Sequence, residues 1–180
     1  HDPLRKTIKP MARAHRKAFA AAFWDDKLGY LKDFVSQNNP TDPATLLMRP
    51  NQIFAISLPY SPVSKKIAKK VVAVVTNHLL TSYGLRTLAP GSSNYFADDA
   101  GGVAERDAAY HNGTVWPWLL GAYTEALVKV KGRTKARRIL EPSLKACEKH
   151  LYDYGVGSIA EIFSAEEPHK PNGCIAQAWS

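Results

Sequence analysis

Tyr110-His111-Asn112-Gly113-Thr114-Val115-Trp116-Pro117-Trp118 joins a polar turn to a tryptophan-rich helix start. Sugars need polar partners for their hydroxyls and aromatic faces for their apolar C–H patches. Tyr110 and His111 supply the first kind of group, and Trp116 and Trp118 supply the second. Asp107, just upstream, adds a carboxylate that could accept from a hydroxyl or pair with Arg106. A stripe of Trp at helical spacing is also a common way to build a core. The composition of the stretch leaves both readings open.

Outward from this stretch the chain reads as helices joined by long loops. Val115 to Val130 predicts a helix, with Trp116, Leu119, Leu120, Tyr123, Leu127 and Val130 on one face. Lys131-Gly132 closes it. Thr134 to Tyr152 predicts the next helix, which Pro142 kinks or divides. Gly155 to Gly173 reads as a loop, and Ile175 to Ser180 as the opening of another helix.

Upstream, Leu85 to Asn112 reads as irregular, with Gly- and Asp-rich turns. Before it, Ser61-Pro62 opens a helix carrying Ile67, Val71, Val74, Val75 and His78 at helical spacing, ended by Gly84. Asn51 to Leu58 could begin a helix that Pro59 and Pro62 stop. The first helix runs from about Ile8 to Phe23, and Tyr30 to Val35 is a short extended piece. The expected fold class is all-α, with the chemistry in the loops.

The 180 residues are 45% apolar, enough for one domain with a core. No apolar run approaches the ~20 residues a bilayer needs, so no membrane partner is expected. The start of the chain lacks the apolar segment of a signal peptide. Cys147 and Cys174 are isolated thiols, which disfavours a zinc site and suits a reducing cytoplasm. No metal or cofactor is expected. The net charge of +8 raises nucleic acid as a partner. Its basic runs read instead as solvated faces: Lys65-Lys66, Lys69-Lys70, and Lys129 to Arg138 around a helix–helix turn.

Three further sets of residues could carry chemistry. Glu161 lies among Ile159, Ile162 and Phe163, and apolar neighbours can raise a carboxyl pKa for acid or base work. A surface glutamate beside anchoring apolar residues is the plainer reading. Arg49-Pro50-Asn51-Gln52 precedes an apolar run, where Asn51 could simply cap a helix. Gln177 and Trp179 are either core and cap or sugar contacts. No G-x-S-x-G elbow, Walker loop or G-x-G-x-x-G is present.

Five blocks in order resemble the C-terminal glucosidase region of glycogen debranching enzymes, the amylo-α-1,6-glucosidase type. They are Arg49 to Pro59, Tyr83 to Leu88, Tyr110 to Trp118, Ser158 to Phe163 and Gly173 to Ser180. The resemblance implies an (α/α)6 toroid with the site at its mouth. It implies hydrolysis of α-1,6-linked glucose at glycogen branch points, with inversion. An acid and a base would stand about 6.5–9.5 Å apart, and Glu161 matches the base. Arg49, Asn51, Gln52, Asp107, Tyr110, His111, Trp116, Trp118, Gln177 and Trp179 would line or support the glucose site.

The sequence supplies about half of the helices such a toroid needs. The family's acid belongs to a segment upstream, and none of Asp25, Asp26 or Asp33 matches it. The expectation is one partial glucosidase domain over residues 1–180, truncated at both ends and weak or inactive alone. Its partners would be glycogen or an α-glucan oligosaccharide, with the missing half of the toroid or a second copy completing the ring. The rival readings are a non-catalytic glycan-binding module and another (α/α)6 glycosidase of glucoamylase or trehalase type.

Overall fold

The computed structural model describes residues 3–177. Helix α1 (Pro3–Phe23) leads into a tight hairpin of β1 (Trp24–Asp25) and β2 (Tyr30–Leu31). Two 3-10 turns follow, Pro43–Leu46 and Pro50–Ile53, the second running straight into α2 (Phe54–Ser57). Then come α3 (Lys65–His78), β3 (Leu85–Arg86), α4 (Val103–Ala109) and β4 (Val115–Trp116). The chain continues with α5 (Leu119–Lys131), α6 (Arg133–Asp153), β5 (Ile162–Phe163) and β6 (Pro171–Asn172). The fold is helical, as expected, with one small antiparallel ribbon in the order β3-β4-β5-β6.

The core forms where α5 packs against α2, α3 and α6. Val71, Val72 and Val75 of α3 meet Tyr123, Ala126 and Leu127 of α5, with Ile53 and Ile56 beside them. Each fully buried aliphatic side chain contributes roughly 1.5–3 kcal/mol through removal from water. The Tyr123 hydroxyl shares a 2.7 Å hydrogen bond with Thr76 Oγ1, which donates in turn to the Val72 carbonyl. The Lys129 ammonium donates to the Ile56, Ser57 and Leu58 carbonyls at the end of α2. A cation there satisfies carbonyls that a helix end leaves without partners.

Several boundaries differ from the sequence expectation, each for a local reason. α3 starts at Lys65, where the Ser64 hydroxyl accepts from the Ile67 N–H, and it stops at His78 rather than at Gly84. Val115 and Trp116 open no helix. Pro117 disfavours helical backbone at Trp116, and these two residues pair instead with Leu85, Arg86 and Phe163. α5 begins only at Leu119 and ends at Gly132, whose φ of 81° and N–H to the Val128 carbonyl form the expected cap. Pro142 neither ends nor divides α6.

The stretch read as irregular, Leu85 to Asn112, contains β3 and α4, and Gly155 to Gly173 contains β5 and β6. Ile175 to Gln177 are not helical, and the rest of the expected last helix, 178–180, lies outside the described residues. Asn51 does not cap a helix: Arg49 stands at that position, without a side-chain cap bond.

Candidate active site

A cavity of about 490 Å³ opens between Asp33, two residues past β2, and the Tyr110–Trp118 segment. Asp33, Arg49, Asn51, His111, Trp116 and Trp118 are among its lining residues. Arg49, Asn51, His111, Trp116 and Trp118 thus come together although up to 69 positions separate them in the chain. His111 stacks on Trp116 with centroids 4.9 Å apart, and Tyr110 packs edge-on against both rings. The Trp116 indole N–H donates to the Tyr110 carbonyl at 2.9 Å, locking the turn onto the ring it carries. Trp118 is partly exposed and stacks on Phe54.

The Arg49-Pro50-Asn51-Gln52 block works as a clamp between the two walls. The Arg49 guanidinium donates to the His111 carbonyl at 2.6 Å, to Asn112 Oδ1 at 2.7 Å and to the Thr87 carbonyl at 3.2 Å. Asn51 Nδ2 donates to Asp33 Oδ1 at 3.0 Å on the opposite wall. Gln52 is buried, with its amide donating to the Arg49 carbonyl and its oxygen accepting from the Leu31 N–H. Gln52 therefore shapes the wall from behind rather than lining it.

Glu161 stands beside this wall, behind Tyr110. Its side chain is buried, and the Tyr110 hydroxyl donates to Oε1 while the Cys174 N–H donates to Oε2 at 2.8 Å. The apolar setting was expected to raise its pKa. Burial does push it up, but the Cys174 and Tyr110 donors outweigh burial, with Gln177 adding to them, and hold the carboxyl below the usual range. Glu161 is thus an anion at neutral pH, the form a general base requires. Burial and the carboxylate together push the Tyr110 phenol well up, so it stays a donor. Burial, reinforced by the Arg49 charge, lowers the His111 pKa, so its imidazole is neutral at pH 7.

The support of Glu161 comes from residues that the sequence pattern did not single out. The buried His150 ring accepts the Ala160 N–H through Nε2 at 3.2 Å, and burial lowers its pKa, keeping it an acceptor. Gly173 has a φ of +69°, and a Cβ there would lie 2.6 Å from Glu161 Oε2. Gly113 is equally constrained: a Cβ would meet the Phe96 carbonyl oxygen at 1.9 Å. That close approach lets the segment around Ala97 and Asp99 cross the ribbon, tied by Phe96 N–H to the Asn112 carbonyl, Ala165 N–H to the Ala97 carbonyl and Asn172 Nδ2 to the Asp99 carbonyl. Asp99 Oδ1 is a buried acceptor without a partner among the described residues. Burial raises the Asp99 pKa, and the Glu161 and Asp107 charges add to the rise against the opposing pull of Arg106.

Of the remaining sequence candidates, Gln177 reaches Glu161 rather than the cavity. Asp107 is exposed on α4, and Arg106 donates to the Gly101 carbonyl instead of pairing with it. Trp179 lies outside the described residues. Among the described residues, no group of three or more His, Cys, Asp or Glu could hold a metal ion.

The family model for amylo-alpha-1,6-glucosidase matches residues 3–180. Among solved structures, a neutral trehalase from Saccharomyces cerevisiae superposes with a TM-score of 0.66 at 19% identity. The match covers 95% of this chain and 28% of the trehalase. No curated protein matches. The likeness to the trehalase is one of fold: the chain is part of an (α/α)6 toroid.

Proposed function

The chain belongs to the amylo-alpha-1,6-glucosidase family, and from that premise we propose that it carries the base-bearing part of a glucosidase site. The substrate is an α-1,6-linked glucose at a branch point of glycogen or a related α-glucan. Glucose sits against His111, Trp116 and Trp118, with its hydroxyls facing the polar groups of the cavity. Glu161 takes a proton from water as that water attacks the anomeric carbon from the face opposite the leaving oxygen. A carboxylic acid about 6.5–9.5 Å away protonates the leaving oxygen, and the product is inverted. That acid comes from the rest of the toroid, since this chain spans 28% of the trehalase it resembles.

The observation that carries this reading is the setting of Glu161. Its carboxylate is buried, held ionised by Tyr110 and Cys174, and joined to the aromatic wall through Tyr110. The test is glucose release from a phosphorylase limit dextrin. Release by the wild type should fall about 10²–10⁴-fold in Glu161→Gln. Equal release by both proteins would remove Glu161 from the base role.

The cavity itself favours a second reading, because its aromatic and polar wall is assembled without Glu161 among its lining residues. On that reading the chain is a glycan-binding module. Tryptophan fluorescence titration with maltooligosaccharides tests it: binding that is unchanged in Glu161→Gln, without glucose release, supports the module. In either case the ring is completed by the upstream half or by a second copy, and size-exclusion chromatography of the chain alone should show self-association. The two free thiols, Cys147 and Cys174, fit a cytoplasmic protein.

A further inference from the structure

The Arg49 to Gln52 clamp also holds the hairpin side of the cavity, through Gln52 to Leu31 and Asn51 to Asp33. The hairpin is built to a narrow geometry. Asp25 Oδ1 accepts the Lys27 and Leu28 N–H groups, the Gly29 N–H returns to the Asp25 carbonyl, and the Lys32 N–H reaches the Phe23 carbonyl at 2.8 Å. Gln52 Oε1 then fixes Leu31 from inside the core. Two residues on, Asp33 borders the cavity with its carboxylate steadied by Asn51 Nδ2 at 3.0 Å. Asp33 stands partly exposed there, and it is the one carboxylate among the cavity's lining residues.

We propose that Asp33 is a glucose-binding residue whose carboxylate accepts a hydroxyl of the sugar held against His111 and Trp116. The proposal rests on the glucose reading of the cavity. Three observations combine in it. A carboxylate acceptor lines the same cavity as an aromatic wall, and the space of about 490 Å³ leaves room for a sugar ring between them. The acceptor's orientation is set by a neighbour, Asn51, that belongs to the same cavity. The polar groups nearest the aromatic wall are already engaged within the protein, Arg49 with three acceptors and Asn112 with both Arg49 and the Ala108 carbonyl. Asp33 retains acceptor capacity, because a carboxylate offers about four lone-pair sites. Asp33 is a binding residue here and takes no part in proton transfer.

A purely structural Asp33 would hold Asn51 and nothing else. The two roles separate in a cycle between protein and ligand. D-glucose and its 2-, 3-, 4- and 6-deoxy analogues are titrated by NMR into the wild type, Asp33→Ala and Asp33→Asn. In the wild type, removing the hydroxyl that Asp33 accepts weakens binding about tenfold, the effect of one hydrogen bond to a charged group. In Asp33→Ala glucose itself weakens by a similar factor, and the same deoxy analogue then loses nothing further. Asp33→Asn, which keeps an acceptor oxygen, recovers part of the affinity. Thermal melts check folding, and if Asp33→Ala melts early the cycle is taken from Asp33→Asn. Glucose binding by Asp33→Ala equal to wild type overturns the proposal, as does a deoxy penalty that persists in the variants. Failure of the wild type to bind glucose overturns both this proposal and the glucose reading of the cavity. Loss of the base role in the Glu161→Gln assay leaves the cycle, and Asp33, standing.

Discussion

The two working regions of this molecule are held in opposite ways. The aromatic wall from Tyr110 to Trp118 is anchored at long range, by Arg49 reaching across to His111 and Asn112. The Glu161 cradle is anchored through the ribbon, by β5–β6 pairing and the mutual bonds of Glu161 and Cys174. Tyr110 belongs to both, through its ring on Trp116 and its hydroxyl on Glu161, and Val115 pairs with Phe163 beside it. The wall derives its stability from the main core, whereas the cradle depends on close backbone approach. Damage to the wall should therefore appear first as lost stability, and damage to the cradle first as a changed carboxylate.

The largest effect should come from Trp116→Ala, which empties a fully buried ring from the junction of ribbon and core. A loss of about 3–5 kcal/mol is expected in denaturant unfolding. A loss under 1 kcal/mol would break the view that the wall is part of the core. Gly113→Ala comes next, because its Cβ meets a backbone oxygen rather than a side chain that can move away. Overpacking of this kind costs roughly 1–3 kcal/mol, read in the same unfolding curves.

Gly173→Ala should act differently. Its Cβ would press on the Glu161 carboxylate, and the backbone there is left-handed. Such strain costs on the order of 1–2 kcal/mol, but the clearer signal should be a rise of the Glu161 pKa in a carbon-13 NMR titration. A global loss of stability with an unchanged Glu161 titration would contradict the cradle.

Tyr110→Phe removes a single oxygen and is the most informative about linkage. It removes one donor to the charged form, so the Glu161 pKa should rise toward the ordinary carboxylate range. Because the folded pKa of Glu161 lies below its unfolded value, the stabilisation it confers is present above that unfolded value. It is lost as pH falls through the folded pKa. The stability gap between wild type and Tyr110→Phe, about 1.5–3 kcal/mol for a hydrogen bond to a charged group, should be full at neutral pH and close in acid. A gap that stays constant with pH would assign the loss to packing instead.

Much of the wall was legible in the sequence. Ile67, Val71 and Val75 repeat at helical spacing and form the α3 face that meets α5. His111, Trp116 and Trp118 stand close enough in the chain to read as one aromatic and polar group. Val115 and Trp116 misled because their apolar spacing continues the helix that follows. Pro117 and the partners Leu85 and Phe163 override that pattern with strand geometry. The resemblance gives Gln52 as a residue that lines or supports the glucose site, and its support of the wall from behind depends on a bond to the Leu31 N–H, 21 positions away. The direction of the Glu161 pKa was missed for the same reason. The apolar neighbours are local, but the Tyr110 hydroxyl comes from 51 positions away.

By itself the sequence determined the long helices α1, α3, α5 and α6, the aromatic wall and the family, because each depends on neighbours within a few turns or on ordered blocks of residue types. Only the tertiary structure decided that Arg49 through Gln52 is a clamp, that Glu161 is held ionised, and that Asp33 borders the cavity. These properties are made by single hydrogen bonds between distant segments. Their energies depend on distances of a few ångströms that no local pattern encodes.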